Sequence, residues 1–216
     1  MSLDLVTLNA PRSAAAEAYQ SLRTNIEFSG LGKDLRTLLV TSPDTETNKS
    51  DALANLAVVM ADAGDSVIVV DGDLRRPLQH EIFGVNGDAG LTNWFQNGGE
   101  PDLADTQVSR LRVLAAGPLP PNPVALLSPK RLAELLQTLS REAEYVLVDA
   151  PPVLAVTDAA LWASQVDGTL LAVTAGRTKR EQAQRAKEVL EKVQSNIVGA
   201  VLLDAEDSMA VTGYGQ

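Results

Sequence analysis

Five runs of this sequence are apolar nearly throughout: Thr37–Thr41 (TLLVT), Ser66–Asp71 (SVIVVD), Tyr145–Asp149 (YVLVD), Asp167–Thr174 (closing on GTLLAVT) and Ile197–Leu203 (IVGAVLL). A strand with one wet face alternates polar and apolar residues. Short unbroken runs rich in Val, Ile and Leu instead suit strands covered on both faces. Arg112–Ala115 is a sixth, weaker candidate. Helical patterns separate these runs. Lys49–Ala63 carries Leu53, Leu56, Ala57 and Met60 on one side and stops at Gly64. Another helix starts at Pro129, a residue suited to a first turn, and runs to about Arg141. A short helix is predicted over Asp158–Ser164. An amphipathic one covers Thr178–Ser195, with Arg180, Glu181, Lys187, Glu188, Glu191 and Lys192 on its wet side. Strands alternating with helices predict a doubly wound α/β fold: a mainly parallel sheet of about five to seven strands with helices on both faces. In such sheets ligands bind beyond the carboxyl ends of the strands. That singles out the chain after Thr41, after Val70 and after Val148.

Three segments follow. Residues 1–36 form an N-terminal extension and helix: an extended lead-in over 1–11, then a helix over about 13–28 capped by Ser13 and closed by Gly30 and Gly32. Residues 37–204 form the α/β domain, with a Pro-rich loop at Pro118–Pro123. Residues 205–216 are a polar, flexible tail.

Composition removes several classes of function. The net charge of −10 argues against a broad nucleic-acid surface, which needs Lys and Arg to neutralise phosphates. With no cysteine and one histidine, His80, thiolate and imidazole zinc sites are out of reach. No apolar run approaches the roughly 18 residues needed to span a bilayer, so direct membrane insertion is not expected. The absence of cysteine fits a reducing, cytoplasmic setting.

The chemistry gathers at the strand ends. After the first strand comes Thr41-Ser42-Pro43-Asp44-Thr45-Glu46-Thr47-Asn48-Lys49-Ser50-Asp51, then a helix. Strand, loop, Lys-Ser, helix is the setting of a phosphate-binding loop, in which backbone N–H groups and a helix N-terminus face the phosphates. There the lysine meets the β/γ oxygens and the following hydroxyl holds Mg²⁺. Thr45 to Asp51 are therefore the candidate ATP/ADP contacts, with Lys49 and Ser50 central. Asp71 and Asp73 follow the second strand, in Asp71-Gly72-Asp73-Leu74-Arg75-Arg76-Pro77, and Asp149 ends the run YVLVD. Carboxylates converging on a Lys-Ser pair can hold Mg²⁺ or accept a hydroxyl proton.

The stretches EAYQSLRTNIEFS (17–29), LLVTSP (38–43), VIVVDGDLRRP (67–77), GLTNWF (90–95), LLSPKRLAELL (126–136), YVLVDAPPV (145–153) and TAGRTKRE (174–181) resemble the bacterial tyrosine kinases of capsule and exopolysaccharide synthesis, relatives of the MinD/ParA-like P-loop ATPases. The resemblance implies catalytic and Mg²⁺-handling roles for Asp71 and Asp73; Arg75 or Arg76 is a candidate to neutralise transition-state charge or, equally, a surface charge on the loop. It implies a Mg²⁺ shell of Ser50, Asp73 and Asp149, and an ATP-dependent protein-tyrosine kinase or ATPase activity. It also implies a membrane polysaccharide co-polymerase as partner at the inner face of the plasma membrane. Glu17, Gln20 and Arg23 fall on the family's homo-oligomer segment, with Gln20 in place of its middle arginine.

The loop departs from the family's PGEGKST pattern. Both glycines are replaced, and Glu46 and Asp51 stand beside the expected triphosphate. Like charges about 5 Å apart repel by roughly 3 kcal/mol at an effective dielectric near 20. A carboxylate of Asp51 or Glu46 is therefore expected to take the helix N-terminus in place of phosphate. Leu203 stands where the family's adenine-reading Asn falls and Thr174 where Arg is common. The tail carries a single tyrosine, Tyr214, instead of a cluster. ATP binding is expected to be impaired or lost. The alternatives are a catalytically inactive assembly scaffold and a MinD/ParA-like ATPase switch.

Overall fold

The structure is a computed structural model that describes residues 4–29 and 35–205. In chain order its elements are α1 (Val6–Asn9), α2 (Ala14–Ser29), β1 (Thr37–Thr41), α3 (Lys49–Asp62), β2 (Val67–Asp71), α4 (Gln79–Phe83), α5 (Leu91–Asn97), β3 (Ala104–Asp105) and β4 (Leu111–Leu114). A 3-10 turn follows at Pro123–Ala125. Then come α6 (Pro129–Leu139), β5 (Tyr145–Asp149), α7 (Asp158–Ala163), β6 (Gly168–Thr174), α8 (Arg180–Lys192) and β7 (Ile197–Leu203). The seven strands form one sheet in the order β3-β4-β2-β5-β1-β6-β7. Every pairing is parallel except the short antiparallel contact of β3 with β4.

Four of the five apolar runs are explained by two cores, one on each face; the fifth, β7, is an edge strand that is only partly covered, with Ala200 and Leu202 exposed. Side chains alternate across a strand, and in those four both sets are buried. Leu39, Ile68, Val70, Val146 and Val148 face α5, α6, α7 and α8 through Trp94, Leu132, Leu135, Trp162 and Leu190. Leu38, Val40, Val67, Val69 and Leu147 face α2, α3 and α4 through Ile26, Leu53, Leu56 and Phe83. Helix α3 is buried along nearly its whole length. Helix stops and starts follow local chemistry. Gly64 ends α3 in the left-handed region at φ 107°. Ser13 caps α2 by accepting from the Ala16 N–H at 3.2 Å. Ser128 caps α6, whose first residue is Pro129.

Several expectations are corrected. The lead-in over 1–11 is not extended throughout: Val6–Asn9 is helical. Leu5 is buried there, and the Thr7 N–H and hydroxyl both donate to Asn55 Oδ1 of α3, at 3.1 and 2.9 Å. Helix α8 is shorter than Thr178–Ser195 because the Thr178 hydroxyl accepts from the Thr174 N–H (3.0 Å) and Gln194 turns to φ 58°. The closing glycines Gly30 and Gly32, Tyr214 and most of the 205–216 tail lie outside the described residues.

Candidate functional site

Strand register assembles the site. Asp71 and Asp149 are the last residues of β2 and β5 and stand opposite each other in the parallel ladder. Val40 of β1 is opposite Asp149, so the chain leaving β1 passes the same rim before entering α3 at Lys49. Gly72 lets Asp73 turn back onto this rim. A Cβ there would lie 3.0 Å from the Asp149 carbonyl oxygen, from Val148 Cγ1 and from the Trp162 indole nitrogen.

Lys49, Ser50, Asp71, Asp73 and Asp149 are all buried. The Lys49 ammonium donates to Asp149 Oδ1 at 2.7 Å, lies 3.3 Å from Asp73 Oδ2 and 3.4 Å from the Ser50 hydroxyl. Burial works against its charge, but Asp149 and Asp73 outweigh that cost and hold the ammonium above its usual pKa. Asp73 Oδ1 accepts the N–H groups of Arg75 (3.2 Å) and Arg76 (3.1 Å). Asp71 is pushed well above the carboxylate range, first by desolvation and then by the charge of Asp149. The Gln79 N–H and Lys49 pull in the opposite direction.

The arginines stand apart from this cluster. Arg75 reaches sideways to Asp158 at the start of α7, with Nε 3.0 Å and Nη2 3.3 Å from its two oxygens. Arg76 is exposed. In the loop, Thr45, Glu46 and Asn48 are exposed and Thr47 is buried. The expected capture of the helix N-terminus by Asp51 or Glu46 is not what forms. The Asp51 carboxylate accepts from the Asn48 side-chain amide. The carboxylate that folds into the loop belongs to Asp44, whose Oδ1 accepts from the Glu46 N–H (3.1 Å), the Thr47 N–H (3.1 Å) and the Thr47 hydroxyl (3.0 Å). The Thr178 hydroxyl lies 3.3 Å from its other oxygen, tying the loop to the β6–α8 connection.

Four residues of this neighbourhood, Asp44, Gln79, Asp158 and Thr178, were not singled out from sequence. Asp44, following Pro43, carries the signal of a turn residue, and Asp158 and Thr178 fall at predicted helix starts. On α2, Glu17 and Gln20 are exposed, whereas Arg23 pairs within its own chain with Glu27 (2.6 Å) and Asp65 (3.5 Å).

Magnesium takes a near-octahedral oxygen shell, of which a protein usually supplies one or two freely available carboxylate or hydroxyl oxygens beside water and phosphate. Of the six carboxylate oxygens of Asp71, Asp73 and Asp149, five already face a donor or the Lys49 ammonium; Asp71 Oδ1 has no partner. Among the described residues no group of three or more acidic, His or Cys side chains is placed to hold a metal ion. As arranged, this donor set does not fit Mg²⁺.

A Lys-Ser helix start beside two aspartates at adjacent strand ends of a parallel sheet defines a P-loop NTPase of the ParA class. The family described as ParA, NUBPL iron-transfer P-loop NTPase, matches residues 35–203. Within that class the chain belongs to the bacterial tyrosine-protein kinases. It is 36% identical to tyrosine-protein kinase YwqD of Bacillus subtilis over 204 residues, covering 94% of this chain and 86% of the relative. It is 35% identical to the putative tyrosine-protein kinase CapB of Staphylococcus aureus over 194 residues, 89% and 85% of the two chains. The kinase domain of Escherichia coli tyrosine kinase ETK superposes with a TM-score of 0.87 at 29% identity, over 98% of this chain and 84% of that one.

Proposed function

We propose that this chain is a cytoplasmic tyrosine-kinase-like P-loop domain of exopolysaccharide or capsule chain-length control and export, with impaired or lost ATP binding. It works at the inner face of the plasma membrane by binding a membrane co-polymerase. The observation that carries the impairment is Asp44: the chain's own carboxylate takes two loop N–H groups and a hydroxyl. A phosphate entering this loop meets that carboxylate, with Glu46 and Asp51 beside it, and no glycine lets the backbone close around it. Were the present ion pairs to open and nucleotide to bind, Lys49 would meet phosphate, Ser50, Asp73 and Asp149 would hold Mg²⁺, and Asp71 would be the base. Arg75 or Arg76 would then neutralise charge. The roles of Lys49, Asp73, Asp149 and Arg75 require their present ion pairs to open.

An inactive scaffold is the second reading, favoured by the commitment of Lys49 to Asp149 and Asp73. In it the exposed residues Glu17 and Gln20 of α2 serve assembly, and residues 37–204 keep the fold as a platform for partners.

Calorimetric titration with Mg-ATP tests the impairment. The expected result is no binding tighter than about 1 mM for the wild type, and a measurable gain when Asp44→Ala is combined with Glu46→Gly and Asn48→Gly. A micromolar wild-type Kd overturns the proposal.

A further inference from the structure

Gln79 is a buried side chain at this rim that the P-loop reading leaves without a role. It is fully buried at the first turn of α4. Its amide Nε2 donates to Asp149 Oδ2 at 2.8 Å and to the Ser50 carbonyl at 3.1 Å. Its backbone N–H donates to Asp71 Oδ2 at 2.9 Å. One residue thus binds both strand-end aspartates and the start of α3.

The charge balance shows what this achieves. Two buried carboxylates, Asp73 and Asp149, pair with one buried ammonium, and Asp71 is buried beside them. Lys49 covers one oxygen of Asp149 and one of Asp73. Two backbone amides cover the other oxygen of Asp73. The second oxygen of Asp149 would otherwise be a desolvated lone-pair site beside the Ser50 main-chain carbonyl, two oxygens that a divalent cation could share. The Gln79 amide stands there instead. Being neutral, it satisfies the oxygen without requiring a counter-ion from solution. Its own Oε1 and Asp71 Oδ1 remain as buried acceptors without partners.

We propose that Gln79 is an internal stand-in for the cation: its amide is bound by Asp149 Oδ2 and the Ser50 main-chain carbonyl, and so excludes divalent metal from these rim oxygens. This inference rests on the reading of an impaired nucleotide site but concerns the cation alone, and its test uses no nucleotide. Water-proton relaxation or electron paramagnetic resonance would follow Mn²⁺ binding to the whole chain in three forms: wild type, Gln79→Leu and Gln79→Glu. Gln79→Leu removes the amide and frees Asp149 Oδ2. Gln79→Glu adds a fourth carboxylate at the same place.

The wild type is expected to bind Mn²⁺ no tighter than millimolar. Both variants are expected to bind at least tenfold more tightly, Gln79→Glu the tighter. Asp149→Asn added to either variant should abolish the gain, which separates this rim from adventitious surface binding. Circular dichroism of each variant checks folding, and Gln79→Glu retains the assay if the leucine variant does not fold. Submillimolar binding by the wild type overturns the proposal, as does an unchanged Mn²⁺ affinity in a folded variant. An Asp44-based nucleotide block could fail in calorimetry while these outcomes stand, and the reverse also holds.

Discussion

Replacing Lys49 by methionine separates a lysine that waits for phosphate from one that holds the fold together. Its ammonium is nearly buried, 2.7 Å from Asp149 and 3.3 Å from Asp73, and those carboxylates are buried as well. Removing one partner of a buried pair typically costs about 3–5 kcal/mol, because the remaining charge is left without compensation. The low end applies here. Asp149 keeps the Gln79 amide, and Asp73 keeps the N–H groups of Arg75 and Arg76. For a chain of 216 residues, a loss of about 3 kcal/mol lowers the Tm by about 6–12 °C, at roughly 2–4 °C per kcal/mol. Differential scanning calorimetry without nucleotide reads this directly. Lys49→Met combined with Asp149→Asn removes the orphaned charge and should restore at least half of the loss. A drop of less than about 2 °C in the single variant refutes the reasoning, since the ammonium would then be free in solution.

Glu144 is held below its ordinary pKa by the Ser66 N–H (2.8 Å), helped by the Ser66 hydroxyl. A lowered folded pKa contributes stability above the unfolded value, and that contribution is lost as pH falls through the folded pKa. Glu144→Gln should therefore be less stable than wild type in urea at pH 7, with the difference shrinking at pH 3.5; a difference equal at both pH values contradicts this. Gly90→Ala places a Cβ 1.9 Å from the Ala115 carbonyl oxygen, which accepts the Leu91 N–H. It should cost at least about 1–3 kcal/mol, the range for overpacking, in urea unfolding; a neutral result contradicts that packing. The Arg75–Asp158 fork joins a fully buried carboxylate to a guanidinium that is 41% exposed. A double-mutant cycle with Arg75→Ala and Asp158→Ala should give a coupling of about 1–2 kcal/mol, discounted for solvent screening, and zero coupling contradicts the pair.

The inner strands were legible because burial on both faces leaves a mark in sequence that needs no tertiary context; the edge strand β7 is as apolar in sequence but only partly buried. Thr37–Thr41, Tyr145–Asp149 and Ile197–Leu203 form strands with the bounds expected, and α3 begins at Lys49. Convergence of Lys49, Asp71, Asp73 and Asp149 also followed, since a parallel sheet brings all carboxyl ends of its strands to one rim. What stayed hidden depends on partners distant in the chain. The start of α5 is held by the Leu91 and Thr92 N–H groups donating to the Ala115 and Ala116 carbonyls. Helix α1 relies on Asn55. Arg75 looked like a site residue, yet its partner is Asp158, 83 residues away. Charge alone placed Glu46 and Asp51 at the loop, but Asp44, which sits at the turn after Pro43, is the carboxylate with the reach to fold back on the loop amides.

A phosphate loop normally gains stability from its ligand, because its inward amides and its lysine are best satisfied when an anion is bound. Here Asp44 serves two loop amides, and Asp149 and Asp73 serve the lysine. The linkage to ligand should then be nearly absent. A site with a Kd of about 10 μM would gain roughly 2.7 kcal/mol at 1 mM nucleotide, or about 5–11 °C in Tm for a domain of this size. The self-satisfied loop predicts a shift under 1 °C with 1 mM Mg-ADP or Mg-ATP in a thermal-shift measurement. Asp44→Ala should lower the Tm without ligand, because two loop amides and a hydroxyl lose their acceptor. Combined with Glu46→Gly and Asn48→Gly, it should also open a positive nucleotide-dependent shift that the wild type lacks. A wild-type shift above about 5 °C would mean that nucleotide displaces Asp44 at little cost, and the self-occupied loop would then be wrong.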